Sequence, residues 1–463
     1  MLVVPCGADL PPRVALGPRD LLHHRDMSDS PKTSSPPAGA PSRPPLISAD
    51  DALSRLLAAV QPHGATETLP TPEAWGRVLA RDVVSAVDVP PADNSAMDGY
   101  ALRAADLGGA ILPVSQRIPA GVVGTPLRPG AAARIFTGAQ VPAGADTVVM
   151  QESCETVPPR GEGDPHGGVR VRELPEIGSN IRRRGEDVAA GSTVLRAGRR
   201  LDAAAIGLAA TVGAARLEVA RRPRVALFST GDELVMPGEP LPPGAIYNSN
   251  RVMLGALLRG LGCVVTDLGN VPDRLDPTRA MLREAAAGHD LILSSGGVSV
   301  GEEDHLKPAL AAEGRLDLWS IAIKPGKPLA FGAVRRPGGA QAGPDAEARE
   351  TWFIGLPGNP VSSFVTFVLF VRPVLLRLQG AAAPVPAAAV PMRADFAWPK
   401  PDKRREFLRV RRNAAGGLDL FPNQGSGVLT SLAWADGLAD LAPGRAVAPG
   451  DIVPFLALGE LAP

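Results

Sequence analysis

Residues 290–304 read DLILSSGGVSVGEED, an apolar run of strand-forming residues that leads directly into glycines and acids. The same order recurs in RVALFSTGDEL at 224–234 and in WFIGLPGNP at 352–360. Helical stretches alternate with these runs, around 251–261, 277–287 and 361–378. Such alternation predicts a parallel sheet flanked by helices. Ligands of these sheets bind beside the loops at the carboxyl ends of the strands, so we expect the site there.

Acidic residues follow three of the predicted strands. Glu302, Glu303 and Asp304 follow the glycine-rich loop, whose backbone N–H groups suit a phosphate. Glu233 and Asp273 end two other loops, STGDE and NVPD. Acids beside a phosphate repel it unless a cation lies between them, and Mg²⁺ is the natural candidate. Taken singly, each acid is better explained as a helix cap or a solvated turn residue, but their shared edge favours a metal site.

Two further loops carry groups suited to an anion. IKPGKP places Lys324 and Lys327 on a proline-stiffened loop, where their ammonium groups suit a small oxyanion or a phosphate. LPGNP places Pro357 and Pro360 before a long helix whose N-terminus suits an anion. A solvated turn and a plain helix start explain the same residues, so both interpretations stay open.

Between about 83 and 173 the chain consists of short β-rich segments separated by glycine and proline, which predicts an all-β module. Two of its loops are polar: DNSAMDGYA, which contains Asp98, and IFTG, which contains Thr137. Further on, RRRGED ends at Asp187 and indicates a solvated salt-linked turn or, alternatively, a phosphate clamp. Beyond about 388, short β-rich runs predict a small sandwich or barrel.

The composition limits the class of protein. The length of 463 residues predicts about three domains, and 51 glycines with 49 prolines disfavour helical bundles. A formal net charge of +0 provides no field for nucleic acid or a membrane surface. Three separated cysteines argue against a disulfide framework, and the six histidines show no metal-binding spacing. With no apolar run of membrane-spanning length and no signal-peptide pattern, we expect a cytoplasmic protein.

The N-terminal region changes character at Ser48. Residues 28–45 are rich in proline and serine and have no apolar period, so the first 45 residues are predicted to be a disordered extension. Ser48 is then expected to cap a short amphipathic helix that ends by Pro62.

Seven motifs together resemble the molybdopterin molybdenumtransferases, the MoeA-type enzymes that include the E domain of gephyrin. They are DNSAMDGYA, IFTGAQVPAGADTVVMQE, IRRRGEDVAAG, VALFSTGDEL, SSGGVSVGEED, IKPGKPLAFG and LPGNPVS, in that order. The resemblance covers about Leu46 to the C-terminus, and seven motifs in one order leave little room for chance. Residues 423–438 match the family pattern loosely, and the extension has no counterpart in it.

The resemblance implies a reaction and a set of residues. Molybdate is inserted into the dithiolene of molybdopterin while adenylyl-molybdopterin is hydrolysed with Mg²⁺ and AMP is released. The family's catalytic positions fall on Asp98, Thr137, Asp187, Glu233, Asp273 and Asp304, of which the last three are expected to handle the metal. Its substrate-binding positions fall on Ser294, Gly296, Gly297, Ser299, Lys324, Lys327, Pro357 and Pro360.

The resemblance also implies an architecture. The family is an elongated homodimer, with each active site between one subunit's α/β domain and its partner's β-rich domain. The implied fold is multidomain α/β plus β: a doubly wound parallel-sheet, molybdopterin-binding domain, β-rich N-terminal domains and a small C-terminal β-barrel. The implied divisions are the extension (1–45), the α/β domain (46–65 and 219–388), the linking domain (66–84 and 192–218), the β-rich domain (85–191) and the C-terminal domain (389–463).

Two other interpretations use the same fold. Molybdopterin adenylyltransferases share the α/β domain but typically read SGGTG where residues 295–299 of this chain read SGGVS. A gephyrin-like scaffold would use the fold to bind a peptide. The extra domains and the acidic loops favour the transferase. Its expected partners are adenylyl-molybdopterin, molybdate, the molybdopterin adenylyltransferase and apo-molybdoenzymes, but neither nucleic acid nor a membrane. The sequence leaves the choice between molybdate and tungstate open.

Overall fold

A computed structural model of the chain describes residues 46–161, 165–297, 305–337, 350–382 and 388–461. The predicted extension, 1–45, lies outside the described residues, and so do the predicted site residues Ser299 and Asp304.

A seven-stranded sheet forms the centre of the α/β domain. In spatial order its strands are Leu46–Ile47, Gly314–Ile321, Pro328–Arg335, Glu350–Leu356, Leu291–Ser295, Arg224–Thr230 and Val264–Val271. All run in one direction, as the alternating pattern predicts, except Pro328–Arg335, which is antiparallel to both neighbours. It is joined to Gly314–Ile321 by the short loop 322–327, whereas a parallel crossover needs about a dozen residues. One strand therefore departs from the predicted parallel arrangement.

Helices cover both faces of this sheet. Three pack on one face: Ala49–Ala59, Ser249–Gly260 and Pro360–Leu378. Two pack on the other: Leu275–Gly288 and Leu306–Glu313. Because successive side chains of a strand point to opposite faces, Leu227 belongs to the first core and its neighbour Phe228 to the second. The domain is doubly wound, as predicted.

The helix Pro360–Leu378 runs through the first core. It consists of α-helix Pro360–Thr366, a π-helical turn at Phe367–Val371 and α-helix Arg372–Leu378. By length and composition it alone among the described helices is long and apolar enough to cross a membrane, yet 83% of its most apolar window is buried inside the fold. Its apolar side chains are therefore core residues of the α/β domain.

The helix predicted after Ser48 is present as Ala49–Ala59. The Ser48 hydroxyl accepts a hydrogen bond from the backbone N–H of Asp51 at 3.0 Å, which satisfies one of the free donors of the first turn. The preceding strand, Leu46–Ile47, joins the edge of the large sheet. The first described residues therefore pack in the α/β domain, although the rest of that domain follows much later in the sequence.

Two stretches of chain pair to form the linking domain. Its elements are strands Thr66–Pro70, Val83–Val84, Thr193–Leu195 and Arg216–Ala220, helix Ala203–Thr211 and a 3₁₀ turn at Thr71–Ala74. The first strand pairs with the last and the second with the third, both antiparallel. These ladders connect the residues before the β-rich domain with those after it.

The β-rich domain contains a six-stranded sheet. In spatial order its strands are Thr147–Met150, Gly99–Leu102, Ala132–Ile135, Leu112–Ile118, Gly168–Val171 and Cys154–Val157. A separate ladder pairs Asn94–Ser95 with Ile181–Arg182, and 3₁₀ turns lie at Ala104–Asp106 and Gln151–Ser153. The polar loops with Asp98 and Thr137 lie beside the strands Gly99–Leu102 and Ala132–Ile135, which are direct neighbours.

The C-terminal domain is a closed barrel. Its strands are Val390–Ala394, Arg405–Arg412, Gly417–Leu420, Gly437–Leu441 and Ile452–Ala457, and its helices are Thr430–Trp434 and Leu458–Leu461. A pairing between Arg405–Arg412 and Gly437–Leu441 closes the ring of strands, which settles the sandwich-or-barrel alternative. The two-residue strand Ile323–Lys324 of the α/β domain pairs with Arg405 and Glu406 and joins the barrel to the α/β domain.

Candidate active site

A cleft of about 900 Å³ lies at the carboxyl edge of the large sheet, where the sequence analysis expects the site. Loops that follow the strands Arg224–Thr230, Val264–Val271, Leu291–Ser295 and Glu350–Leu356 line it, together with residues of the C-terminal domain. The predicted site residues that line this cleft are Glu233, Asp273, Gly296, Gly297, Lys324, Lys327, Pro357 and Pro360. The fold therefore brings five separate motifs to one place.

Two acidic loops meet at one side of the cleft. Glu233 follows the strand Arg224–Thr230, and Asp273 follows its parallel neighbour Val264–Val271. The loops touch: Asn270 Nδ2 donates to Gly231 O at 2.8 Å, and the N–H of Asp273 lies 3.5 Å from Asp232 Oδ1. Adjacent parallel strands place their carboxyl ends side by side, so this convergence is a direct result of the topology.

The donor set of these loops fits Mg²⁺. This ion is usually held by one or two carboxylates, with substrate phosphates and waters as its other ligands. Glu233 and Asp273 supply two carboxylates on the lining of an open polar cleft. The third predicted acid, Asp304, lies outside the described residues, and within them no cluster of three or more His, Cys, Asp or Glu is arranged to hold a metal.

The glycine loop after Leu291–Ser295 approaches the backbone of the neighbouring strand. Gly296 has φ +91°, and a Cβ there would lie 2.7 Å from the carbonyl oxygen of Thr230. Glycine is therefore required for this close approach. The N–H of Gly296 donates to Leu356 O at 3.1 Å, so it is not free for the phosphate that the sequence predicts. Ser294 does not line the cleft, because strand alternation points it away, and its neighbour Ser295 lines it instead.

Asn250, which the sequence did not lead us to assign to the site, holds the LPGNP loop in place. Asn250 Nδ2 donates to Gly358 O at 2.6 Å and to Ser295 Oγ at 2.9 Å. Asn250 thereby ties the LPGNP loop to the glycine loop. Pro360 begins the helix that leaves this loop, and Pro357 is largely buried at the edge of the cleft. The signal was present in the polar run YNSN at 247–250, just before a predicted helix.

The two lysines of IKPGKP have different surroundings. Lys327 is exposed on the lining of the cleft, and the structure gives it no ion pair with any described residue. Lys324 lies against the barrel, with its Nζ 3.1 Å from Glu406 Oε1 and 3.4 Å from Asp402 Oδ2. Only part of the predicted positive charge is thus directly available to an anion.

The C-terminal domain contributes residues that the sequence analysis did not assign to the site. Arg404, Gln424, Gly425 and Ser426 line the cleft. Gln424 is fixed because its Oε1 accepts from the N–H of Arg409 and its Nε2 donates to Arg409 O, at 2.9 and 3.0 Å. Residues 423–438 match the family pattern only loosely, so the sequence did not predict that this segment contributes to the site. The polar, glycine-rich run NQGSG was the only feature that pointed to such a contribution.

Three predicted catalytic residues lie in the β-rich domain and do not line this cleft: Asp98, Thr137 and Asp187. Asp98 and Thr137 are in contact, since Asp98 Oδ1 accepts from both the N–H and the hydroxyl of Thr137. These two hydrogen bonds lower the pKa of the Asp98 carboxyl. Asp187 is exposed, and its N–H donates to Val89 O at 3.0 Å.

Two of the three arginines of the loop RRRGED form ion pairs with described residues. Arg183 Nη1 lies 2.7 Å from Asp93 Oδ2, and Arg184 Nε lies 2.5 Å from Asp88 Oδ2. Arg183 and Arg184 are therefore salt-linked, but to acids of the segment 88–93 and not to Glu186 and Asp187 of their own loop, as the salt-linked turn would require.

Comparison with known proteins assigns the whole described architecture to one family. The MoeA N-terminal region (domain I and II) matches residues 47–213, a probable molybdopterin binding domain matches 226–377, and the MoeA C-terminal region (domain IV) matches 391–458. Molybdopterin molybdenumtransferase 2 of Mycobacterium tuberculosis is 38% identical over 412 residues, which cover 85% of this chain and 93% of the relative. The chain belongs to the molybdopterin molybdenumtransferase family. It is thus an enzyme of molybdenum cofactor biosynthesis.

Other members of the family show the same relationship. Molybdopterin molybdenumtransferase of Haemophilus influenzae is 41% identical over 337 residues, 72% of this chain and 78% of the relative. Among solved structures, the molybdopterin biosynthesis MoeA protein of Pyrococcus horikoshii has a TM-score of 0.73 at 29% identity, over 89% of this chain and 100% of that one. Sequence and fold therefore agree on the molybdopterin molybdenumtransferase family.

Proposed function

We propose that this chain inserts molybdate into molybdopterin while it hydrolyses adenylyl-molybdopterin, and that it releases AMP in a Mg²⁺-dependent reaction in the cytoplasm. The observation that carries the proposal is the convergence of two acidic loops, a glycine loop and a lysine loop on one cleft of about 900 Å³. A cleft of this size accommodates a bulky nucleotide-linked ligand. Its acids suit a cation, and its glycines and lysines suit phosphate and oxyanion groups.

Glu233 and Asp273 would hold the Mg²⁺ beside the phosphoanhydride of the substrate. When bound, the ion neutralises phosphate charge and orients the phosphoryl groups. The backbone N–H of Gly297 would bind a phosphate. Gly296 would instead allow the close approach to Thr230, because its own N–H donates to Leu356 O at 3.1 Å. Lys327, exposed on the opposite loop, would hold the oxyanion near the dithiolene.

We also propose that the protein is a homodimer in which two subunits share each active site. Asp98, Thr137 and Asp187 lie on the β-rich domain, away from the cleft of their own chain. In a twofold dimer the β-rich domain of one subunit would meet the cleft of the other. Ile246 and Tyr247, on the rim of the cleft, are 56% and 44% exposed, which fits a rim that a second subunit covers.

The adenylyltransferase and scaffold alternatives are not favoured. The matches to the N-terminal and C-terminal regions of MoeA extend well beyond the domain that the adenylyltransferases share. The acids and lysines of the cleft are those that a reaction on an adenylylated, anionic substrate requires. We further propose that the adenylyltransferase delivers the substrate and that apo-molybdoenzymes receive the product.

The proposal is tested with purified protein, adenylyl-molybdopterin, Mg²⁺ and molybdate. Wild-type protein should release AMP, whereas Glu233→Gln and Asp273→Asn should lower the rate by about 100-fold or more while the fold is retained. Glu284→Gln is the matched control, because Glu284 is an exposed acid on the helix Leu275–Gly288 and does not line the cleft. Full activity of both cleft variants would contradict the assignment of the site.

A further inference from the structure

The C-terminal barrel contacts both the backbone and the side chain of Lys324. The strand Ile323–Lys324 pairs with Arg405 and Glu406, and the N–H of Arg405 donates to Ala322 O at 2.9 Å. The ammonium group then lies between two barrel carboxylates, Glu406 Oε1 at 3.1 Å and Asp402 Oδ2 at 3.4 Å. The barrel therefore determines where this positive charge stands relative to the cleft.

Glu406 is a buried carboxylate with a fixed orientation. Its side chain is 2% exposed, and Oε2 accepts hydrogen bonds from Trp398 Nε1 at 2.9 Å and from the N–H of Asp402 at 2.8 Å. These two donors leave Oε1 turned to Lys324. Within the described chain Oε1 has no aligned hydrogen-bond donor, so its contact with the ammonium group at 3.1 Å is mainly an electrostatic one. A buried carboxylate requires such a compensating cation.

The charges around Lys324 cancel. Arg404 binds Asp402 with two hydrogen bonds of 3.0 Å and holds the pKa of that carboxyl well below its usual range. Two carboxylates, Asp402 and Glu406, thus face two cations, Arg404 and Lys324. The charge of Lys324, whose side chain is 40% exposed on the cleft, is compensated by these barrel carboxylates, whereas Lys327 has no ion pair with a described residue.

We propose that Glu406 is a positioning residue that holds the Lys324 ammonium group on the barrel side and thereby limits the affinity of the cleft for anions. This inference rests on the proposed function, in which an oxyanion is consumed and the anion AMP must leave. A cleft with a second uncompensated cation would bind oxyanions more tightly and release anionic products more slowly. By compensating Lys324, the barrel would therefore keep anion binding in the cleft weak enough for the product AMP to leave.

The substitution Glu406→Gln separates this role from a structural one. The glutamine oxygen can keep the hydrogen bonds from Trp398 and Asp402, while its amide group replaces Oε1 and no longer attracts Lys324. The cleft gains one positive charge, so we expect the dissociation constant of molybdate to fall about threefold to tenfold at low salt, and less at high salt. A purely structural role predicts the opposite sign, because a disordered lysine loop binds an anion less well.

The test is calorimetric titration of molybdate alone into the full-length protein, without molybdopterin. Asp440→Asn is the matched control, because Asp440 pairs with Arg405, the neighbour of Glu406 on the same strand, at 2.6 Å. The Asp440→Asn protein should bind molybdate with the same affinity as the wild type. In turnover, Glu406→Gln should show a lower KM for molybdate together with a lower kcat.

The outcomes separate this inference from the function on which it rests. No binding of molybdate alone by the wild-type cleft would overturn the role of Glu406, whereas the proposed function is overturned only by a failure of AMP release in the complete reaction. Binding by wild type with equal or weaker binding by Glu406→Gln would overturn the role of Glu406 alone. If Glu406→Gln does not fold, as judged by circular dichroism, Lys324→Gln is compared with Lys327→Gln. The compensated Lys324 should contribute less to molybdate affinity than the exposed Lys327, and an equal loss in both variants would overturn the role of Glu406.

Discussion

Asp98 accepts two hydrogen bonds from Thr137, from its backbone N–H at 2.8 Å and from its hydroxyl at 2.7 Å, across 39 positions of sequence. Both donors point at Oδ1, so they stabilise the ionised carboxylate and lower its pKa. The strands that carry the two loops are direct neighbours, which fixes the pair in a rigid frame. This pair is the part of the β-rich domain that we propose to face the partner's cleft.

Thr137→Val should raise the pKa of Asp98. The variant removes the hydroxyl donor and keeps the backbone N–H, so the carboxylate loses part of its stabilisation and binds a proton at higher pH. The acid limb of the pH–rate profile should move to higher pH by the same shift, since the ionised fraction falls there. NMR titration of the Asp98 carboxyl measures the pKa directly. Thr125→Val, which removes a hydroxyl bonded to Gln116 in the same domain, should leave it unchanged.

Gly296→Ala should weaken both the fold and the substrate site. Its φ of +91° and the 2.7 Å approach of a Cβ to Thr230 O predict a loss of stability of about 1–3 kcal/mol. Gly262→Ala is the matched control, because Gly262 has φ +80° but open space around a Cβ. Gly262→Ala should lower the free energy of unfolding by about 1 kcal/mol and leave the substrate affinity unchanged. Equal affinities of both variants for adenylyl-molybdopterin would argue against a phosphate site on this loop.

Arg409→Met should destabilise the barrel. The Arg409 side chain is buried and donates to Phe407 O, Gly425 O and Ser431 Oγ, and burial lowers its pKa to about 10. The variant leaves buried acceptors without their donor, at about 1–3 kcal/mol each, and this cost is partly offset because a buried charge disappears. We expect a net loss of about 2 kcal/mol in urea denaturation of the full chain.

Arg411→Met provides the comparison for Arg409. Arg411 lies on the same strand, and its guanidinium stacks on Trp434 with its carbon 4.5 Å from the ring centroid. An exposed cation–π contact is worth about 0.5–1 kcal/mol, so this variant should lose less stability. A loss at Arg411 equal to that at Arg409 would contradict the importance of the buried hydrogen bonds.

Mixing two inactive variants should restore activity if the site is shared between subunits. In a mixed dimer of Asp98→Asn and Asp273→Asn chains, one cleft has both its own Asp273 and its partner's Asp98. Random exchange of subunits should therefore recover roughly a quarter of the wild-type rate. The rate is measured as AMP release after the two variants are unfolded and refolded together. No recovery, although mixed dimers form, would place all site residues within one chain.

The sequence predicts the parts of the fold that follow from local pattern. Alternating strands and helices predict the doubly wound sheet, and the cap at Ser48 predicts the first helix. The antiparallel strand Pro328–Arg335 is harder to foresee, because an apolar run does not encode direction and only the length of loop 322–327 decides it.

The candidate site is predictable only in part, for a similar reason. Motifs that end parallel strands must meet at one edge, so the convergence of Glu233, Asp273 and Gly296 follows from the fold class. The contributions of Arg404 and Ser426 come from a different domain, and their position depends on how the barrel docks. The pairing of Lys324 with Glu406 depends on the same docking, which no local pattern specifies.

Coupled transfer is tested by comparing the molybdenum loaded with the AMP released in one reaction of wild-type protein, adenylyl-molybdopterin, Mg²⁺ and molybdate. Elemental analysis of the cofactor gives the first quantity and chromatography the second. We expect equal amounts of loaded molybdenum and AMP, both dependent on molybdate and both lowered about 100-fold or more in rate by Asp273→Asn. AMP release that leaves molybdopterin without molybdenum would contradict the proposed transfer.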